Sequence, residues 1–105
     1  MSNRTTFQKI YWAVFEEFDL SPMEGLLLYL ILGLSRNKGY CYASKLTLGE
    51  ILNVTDICVY NTIARLVKKE LVKKIGKTKN GVMALQVTDE VHSFISDQDV
   101  SQNPH

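Results

Sequence analysis

Residues 44–87 read SKLTLGEILNVTDICVYNTIARLVKKELVKKIGKTKNGVMALQV. The spacing of apolar residues predicts a short helix, a three-residue turn, a second helix that carries lysines, and a basic hairpin. Asn80-Gly81, flanked by alternating residues, is a strong hairpin signal. We expect burial of the apolar positions Leu48, Ile51, Leu52, Val54, Val59, Ile63, Leu66, Val67, Leu71, Val72 and Ile75.

Capping residues predict where these two helices begin and end. Ser44 is expected to cap the first helix, which runs to about Leu52, and Thr55 the second, which runs to Lys69 or Glu70. Asn53 stands where the chain must turn sharply, and asparagine tolerates the left-handed conformation better than most residues. The predicted strands are Leu71–Lys77 and Val82–Val87.

The flanking sequence predicts further helices. Thr5 and Gln8 form a capping box for a helix to about Leu20. Ser21-Pro22-Met23-Glu24 starts a second helix, which is apolar nearly all round and should be the buried centre of the domain. The segment 40–43 is a short strand candidate, and a last short helix is expected from Asp89 to about Ser96.

Two helices joined by a tight turn and followed by a two-stranded hairpin form a winged helix-turn-helix. The predicted fold class is therefore mainly α with a small β-hairpin, with about five helices and a wing sheet of two or three strands. The chain has 105 residues, which is enough for one domain with its own core. We expect a single domain over residues 1–96, with an N-terminal aromatic helix, and a flexible tail over residues 97–105.

Positive charge is concentrated in one part of the chain. The formal net charge is only +1. Residues 65–79, however, contain seven lysines or arginines and one acidic residue, Glu70. This run begins in the second helix of the motif and ends at the hairpin tip. A basic patch on a nearly neutral protein is the pattern expected for phosphate contact.

The second helix of such a unit enters the major groove near its N-terminal end. Asn61 can pair with adenine, and Arg65 with guanine or a phosphate. Ile57 can touch a thymine methyl group, whereas Asp56 places a carboxylate near phosphates and serves the helix dipole or accepts from cytosine. The full set of predicted DNA contacts is Ser44, Thr55, Asp56, Ile57, Tyr60, Asn61, Arg65, Lys68, Lys77, Lys79 and Asn80.

The first helix carries more aromatic residues than one narrow stripe needs. Large apolar side chains are seldom left exposed in groups. Two interpretations require the same residues: the helix crosses the core of its own domain, or it forms a homodimer interface. The residues predicted for that interface are Phe7, Tyr11, Trp12 and Phe15.

No residue pattern indicates an enzyme, a metal site or a cofactor. Cys41 and Cys58 fit no metal spacing and are expected to be reduced thiols in the cytoplasm. The N-terminus lacks the pattern of a signal peptide, and the apolar run Gly25–Leu34 is too short to cross a bilayer. His92 and His105 stand in no ligand or nucleophile motif.

Several segments resemble a known group of proteins. Leu20-Ser21-Pro22, Leu26–Leu30, Tyr42-Ala43-Ser44, Leu48–Thr55 and Leu66–Val72 resemble the winged helix-turn-helix domains of phage and plasmid replication initiators and regulators. The segment Leu85–Glu90 is similar to the end of the wing in multiple-antibiotic-resistance-type (MarR-type) and PadR-type repressors. The resemblance covers about residues 20–96. It implies sequence-specific binding to duplex DNA, often as a homodimer.

The chain departs from that group at several positions. The group usually has basic or small polar residues where Asp56, Ile57 and Cys58 stand. It usually has glycine where Glu70 and Val91 stand.

We therefore expect a cytoplasmic protein that binds double-stranded DNA and regulates transcription or replication. It would act either as a homodimer or as part of a larger initiator complex. The alternative, favoured by Asp56 and the low net charge, is a winged-helix module that binds another protein through its aromatic helix.

Overall fold

The computed structural model describes residues 12–36, 38–79 and 81–102. Residues 12–17 are helical and belong to a first helix, α1. The elements that follow are α2 Pro22–Leu34, α3 Lys45–Leu52, α4 Asp56–Lys68, β1 Val72–Lys77, β2 Met83–Val87 and α5 Asp89–Gln102. This order of helices and hairpin confirms the predicted winged helix-turn-helix. The predicted start of α1, at Thr5 and Gln8, lies outside the described residues.

Helix α2 lies at the centre of the core. Leu27, Leu28 and Ile31 are fully buried, and α2 packs against α4 and β2. Apolar residues occur on nearly all sides of α2, but those on the outer side, such as Leu26 and Leu34, remain exposed. The prediction of a central helix is confirmed, but its apolar surface is buried only on one side.

The helix starts have the predicted caps. The Ser21 backbone N–H donates to Glu24 Oε1 at 3.0 Å, and the Glu24 N–H donates to Ser21 Oγ at 3.3 Å, which completes a capping box on α2. Ser44 Oγ accepts from the Thr47 N–H at the start of α3, and Thr55 Oγ1 accepts from the Cys58 N–H at the start of α4. Such caps satisfy amide groups that have no partner within the helix.

The turn between α3 and α4 has three residues, as predicted. Asn53 adopts the left-handed conformation, with φ 59° and ψ 45°. The Val54 N–H donates to the Gly49 carbonyl at 2.8 Å. This bond brings the turn so close to α3 that a Cβ atom at Gly49 would lie 2.6 Å from the Val54 carbonyl oxygen. Glycine at this position therefore permits the sharp turn that sets the angle between the two helices.

Substitution of Gly49 by alanine is expected to lower the free energy of unfolding by about 1–3 kcal/mol, because the new methyl group overlaps a backbone oxygen. Thermal or urea unfolding measures this change. Gly33 is the matched control, since it is also helical but has no described atom within 4 Å of its Cβ position. Alanine at Gly33 should stabilise by about 0.5–1 kcal/mol. Equal effects at both glycines would contradict this account of the turn.

The hairpin is antiparallel and contains one irregularity. Val72 pairs with Val87, Lys73 with Gln86 and Lys74 with Leu85, but Gly76 then pairs with Ala84. Ile75 is thus an extra residue in β1, a β-bulge, next to a glycine with φ 133°. Residues beyond a bulge exchange faces relative to a regular strand.

Two isoleucines predicted to be buried are exposed, and for these the prediction is wrong. Ile51 is 54% exposed, because Leu48 occupies the inward side of this short helix. Ile75 is exposed because it is the bulged residue, in the part of β1 that extends beyond the core.

The ends of two predicted elements also differ from the structure. In the segment 40–43 only Cys41 is paired, through two hydrogen bonds of 2.7 Å with Leu85, because the chain turns away to begin α3 at its Ser44 cap. The described residues therefore form a two-stranded sheet with one added bridge. Helix α5 continues to Gln102, six residues beyond its predicted end at Ser96. No glycine or proline occurs between Asp89 and Gln102 to stop it.

Glu70 ends α4 in a left-handed conformation with φ 63°. Glycine adopts this conformation without steric cost, which explains why glycine suits this position in the proteins that the sequence resembles.

Candidate nucleic-acid interface

One face of α4 is exposed along the whole helix. Val59, Thr62, Ile63 and Leu66 are buried against the core. The opposite positions predicted to face outward are all exposed, namely Asp56, Ile57, Tyr60, Asn61, Ala64, Arg65 and Lys68. The predicted inward and outward faces of α4 are therefore confirmed in position.

Arg65 is exposed but is already bound within the protein. Its Nε donates to Glu24 Oε2 at 3.0 Å, and its Nη2 donates to Thr62 Oγ1 at 3.2 Å. Lys69 Nζ donates to the other oxygen of Glu24 and to the Asp19 carbonyl, both at 2.8 Å. We call Glu24, Arg65 and Lys69 the α2–α4 ion cluster. It ties the C-terminal half of α4 to the start of α2 and engages Nε and Nη2 of Arg65 within the protein.

The carboxyl group of Glu24 is almost completely buried. Burial alone would raise its pKa, but hydrogen bonds from Lys69, the Ser21 backbone and Arg65, together with the charge of Lys69, outweigh burial and hold the pKa of Glu24 below its ordinary value. Glu24 is therefore ionised at neutral pH and pairs with two cations of the basic run, which leaves the cluster one net positive charge. Glu24 was predicted only as part of a helix cap, since its ion-pair partners lie 41 and 45 residues away in the sequence.

The bulge in β1 determines which lysines of the wing share a face. Directly paired residues of antiparallel strands project to the same side. Lys74 pairs with Leu85 and Lys77 with Met83. Met83 and Leu85 are two residues apart in β2 and therefore lie on the same face. Lys73, paired with Gln86, lies on the other face. Without the bulge, Lys74 and Lys77 would point to opposite sides.

The face with Lys74 and Lys77 is the one that faces the helices. A cleft of about 160 Å³ separates the wing from α3 and α4, and its lining includes Lys74, Ser44, Lys45 and Ile63. Lys45 Nζ lies 5.7 Å from the centre of the Tyr60 ring, which links the start of α3 to the outer face of α4. We call the outer face of α4 together with this side of the wing the α4–wing surface.

Two lysines beside α4 were absent from the predicted DNA contacts. Lys74 stands in the basic run of the sequence, but the packing of its face of β1 against the helices has no clear sequence signal. Lys45 had no signal at all, because its position depends on the packing of α3 against α4.

The remaining predicted contacts lie at helix starts and at the wing tip. Ser44 and Thr55 use their hydroxyl oxygens as caps, and Asp56 lies in the first turn of α4, where a negative charge is favourable. Lys79 is exposed in the loop between the strands. Asn80 lies outside the described residues.

The residues predicted for a dimer interface are described only in part. Trp12 is 64% exposed. Phe15 is half-buried, and its ring packs so closely on Gly25 that a Cβ atom there would overlap it. Phe15 therefore contributes to the packing of α1 on α2 within its own chain. Phe7 and Tyr11 lie outside the described residues.

The described cysteines and acidic residues form no metal-binding group. Cys41 is buried, and burial raises the pKa of its thiol, which keeps it protonated and unreactive. No helix in the described part of the chain is both long and apolar enough to cross a membrane.

The chain matches no protein-family model and no curated protein. It is similar to several solved structures. The S. aureus MepR–DNA complex superposes with a TM-score of 0.64 at 16% identity, over 90% of this chain and 64% of the MepR chain. MarR from E. coli in its apo form gives a TM-score of 0.60 at 14% identity, over 99% and 78% of the two chains. YusO from Bacillus subtilis gives 0.59 at 20% identity, over 98% and 72%.

These similarities establish the fold. The chain is a winged helix-turn-helix domain with the arrangement of helices and hairpin found in MarR. It spans less than two thirds of the MepR chain in the DNA complex. MepR is a transcription regulator of the Staphylococcus aureus multidrug efflux pump MepA.

Proposed function

We propose that this chain binds double-stranded DNA and regulates transcription by occupying its site. Helix α4 enters the major groove, and the lysines of the wing contact the phosphate backbone. The observation that carries this proposal is the α4–wing surface, in which an exposed helix face lies beside a strand whose bulge places Lys77 on the same face as Lys74. The MepR–DNA complex, which has the same fold, supports it.

The charges on this surface favour a polyanion. Lys68, Lys74, Lys77 and Lys79 are exposed, and the structure pairs none of these four with a carboxylate of the described residues. Arg65 and Lys69, by contrast, share the single negative charge of Glu24. The charge available for phosphate contact is therefore concentrated on the wing and on the last turn of α4, where it would flank a groove occupied by the start of α4.

We further propose that the protein acts as a homodimer in the cytoplasm. The support is apolar surface outside the α4–wing surface, where Trp12, Leu26 and Leu34 are exposed on α1 and α2. A dimer would present two α4 helices to half-sites about one duplex turn apart. A role in replication, or in a larger initiator complex, rests on the sequence resemblance alone.

A titration of the protein with labelled duplex at several salt concentrations tests the proposal. The logarithm of the binding constant should fall linearly with the logarithm of salt concentration, with a slope of about −0.9 for each phosphate neutralised. The mass of the complex in the same titration should correspond to two chains per bound duplex. Affinity that does not change with salt, or no duplex binding at low salt, would reject DNA binding. Recovery of a protein partner that nuclease treatment leaves bound would then favour a protein-interaction module.

A further inference from the structure

The outer face of α4 has little capacity to read guanine. The commonest specific contact to guanine is a bidentate pair from arginine to O6 and N7. Arg65 is the one arginine of α4, and its Nε and Nη2 already donate to Glu24 and Thr62. Lys68 is the last residue of α4, at the end opposite to the one that enters a groove.

The start of α4 instead presents an apolar side chain to solvent. Ile57 is the second residue of the helix and is 67% exposed, which is the highest exposure among the large apolar side chains that the structure describes. Tyr60, Asn61 and Ala64 follow it at the spacing of a single helical stripe. The residues at the N-terminal end of a recognition helix are those that contact base edges. Besides the ring and hydroxyl of Tyr60, this stripe therefore offers methyl groups and one amide, and it contains no cation.

The major groove has one apolar group that matches such a side chain, the C5 methyl of thymine. The amide of asparagine matches N6 and N7 of adenine. Ile57 and Asn61 are thus chemically suited to the two partners of an A·T pair. We propose that α4 selects A·T pairs, with Ile57 in contact with a thymine methyl group and Asn61 bonded to adenine. This inference rests on the proposed DNA binding.

The test begins with duplexes selected from a random pool by the intact protein. Each thymine of the selected site is then replaced singly by deoxyuridine, which removes only the C5 methyl group. At one or two positions in each half-site the replacement should weaken binding by roughly three- to fivefold, the effect of exposing one methyl group. Replacement of adenine by 7-deazaadenine at the Asn61 position should weaken binding by about tenfold.

Protein variants assign these effects to residues. Ile57→Ala should bind the thymine and deoxyuridine duplexes equally at the sensitive position. Ile51→Ala is the matched control, because Ile51 is also an exposed isoleucine but lies on α3. This variant should still bind the thymine duplex more tightly than the deoxyuridine duplex, by the same factor as the unmodified protein. Asn61→Ala should bind the adenine and 7-deazaadenine duplexes with equal affinity, but its affinity should still fall when deoxyuridine replaces thymine.

The outcomes separate this inference from the proposed function. Salt-dependent duplex binding with no effect of deoxyuridine at any position would overturn the thymine contact and leave DNA binding in place. A selected site that is rich in G·C pairs would also overturn it. No binding to any duplex at low salt would reject both proposals.

Discussion

Substitution of Glu24 by alanine is expected to lower the free energy of unfolding by about 2–4 kcal/mol, the largest stability effect we predict for a single residue. The change removes the acceptor of the Ser21 N–H, which is one of the two bonds of the capping box on α2, and it leaves two cations without their carboxylate. We place the loss somewhat lower than the roughly 3–5 kcal/mol typical of removing one partner of a buried ion pair, because Arg65 and Lys69 are 51% and 35% exposed and can be hydrated. The melting temperature should fall by about 10–20 °C.

A second variant at the same position separates the two contributions. Glutamine can still accept the Ser21 N–H, so Glu24→Gln keeps the cap and loses only the charge. It should cost about 1–3 kcal/mol. Glu50→Gln is the control, because Glu50 is exposed on α3 and has no ion pair in the described part of the chain; its change should stay within about 0.5 kcal/mol. A Glu24→Gln variant as stable as Glu50→Gln would contradict the importance of the ion cluster.

The pH dependence of stability follows from the lowered pKa of Glu24. A carboxyl group whose pKa is lower in the folded state stabilises the fold above its unfolded pKa, about 4.3 for glutamate. That stabilisation is lost as the pH falls below this value and through the folded pKa. The difference in stability between the native chain and Glu24→Gln should therefore be constant near neutral pH and shrink below about pH 4.3.

The largest effect on DNA binding is expected from the double substitution Lys74→Ala and Lys77→Ala. Both amines lie on the side of the wing that faces α4. Their loss should reduce the magnitude of the salt slope by about 2 and lower affinity for all duplexes by on the order of 100-fold at low salt. The same titration measures both quantities.

Lys73→Ala is the matched control for this pair, since Lys73 is adjacent in sequence but lies on the opposite face of β1. It should leave the salt slope almost unchanged. If Lys73→Ala weakens binding as much as a single substitution at Lys74 or Lys77, the face assigned to the wing is wrong. Arg65→Ala gives a further contrast: it should lower stability through the ion cluster more than it alters sequence preference.

The parts of this fold that depend on local chemistry could be predicted from the sequence. Ser21, Ser44 and Thr55 cap their helices, and Asn53 takes the left-handed conformation, because each of these features depends on residues within a few positions. The inward and outward faces of α4 follow in the same way from its periodicity.

The features that were missed depend on contacts between distant segments. Nothing near Arg65 in sequence indicates its pairing with Glu24, 41 residues away. The bulge at Ile75 depends on register with β2, so the sequence alone gave neither the exposure of Ile75 nor the shared face of Lys74 and Lys77.

A map of backbone amide chemical shifts by NMR, during titration with a selected duplex, tests directly whether the α4–wing surface binds DNA. If it does, the shifts that change should be concentrated in the first three turns of α4, the start of α3 and the wing from Lys74 to Lys79. Changes concentrated instead on the exposed side of α2, around Leu26 and Leu34, with α4 unaffected, would contradict it.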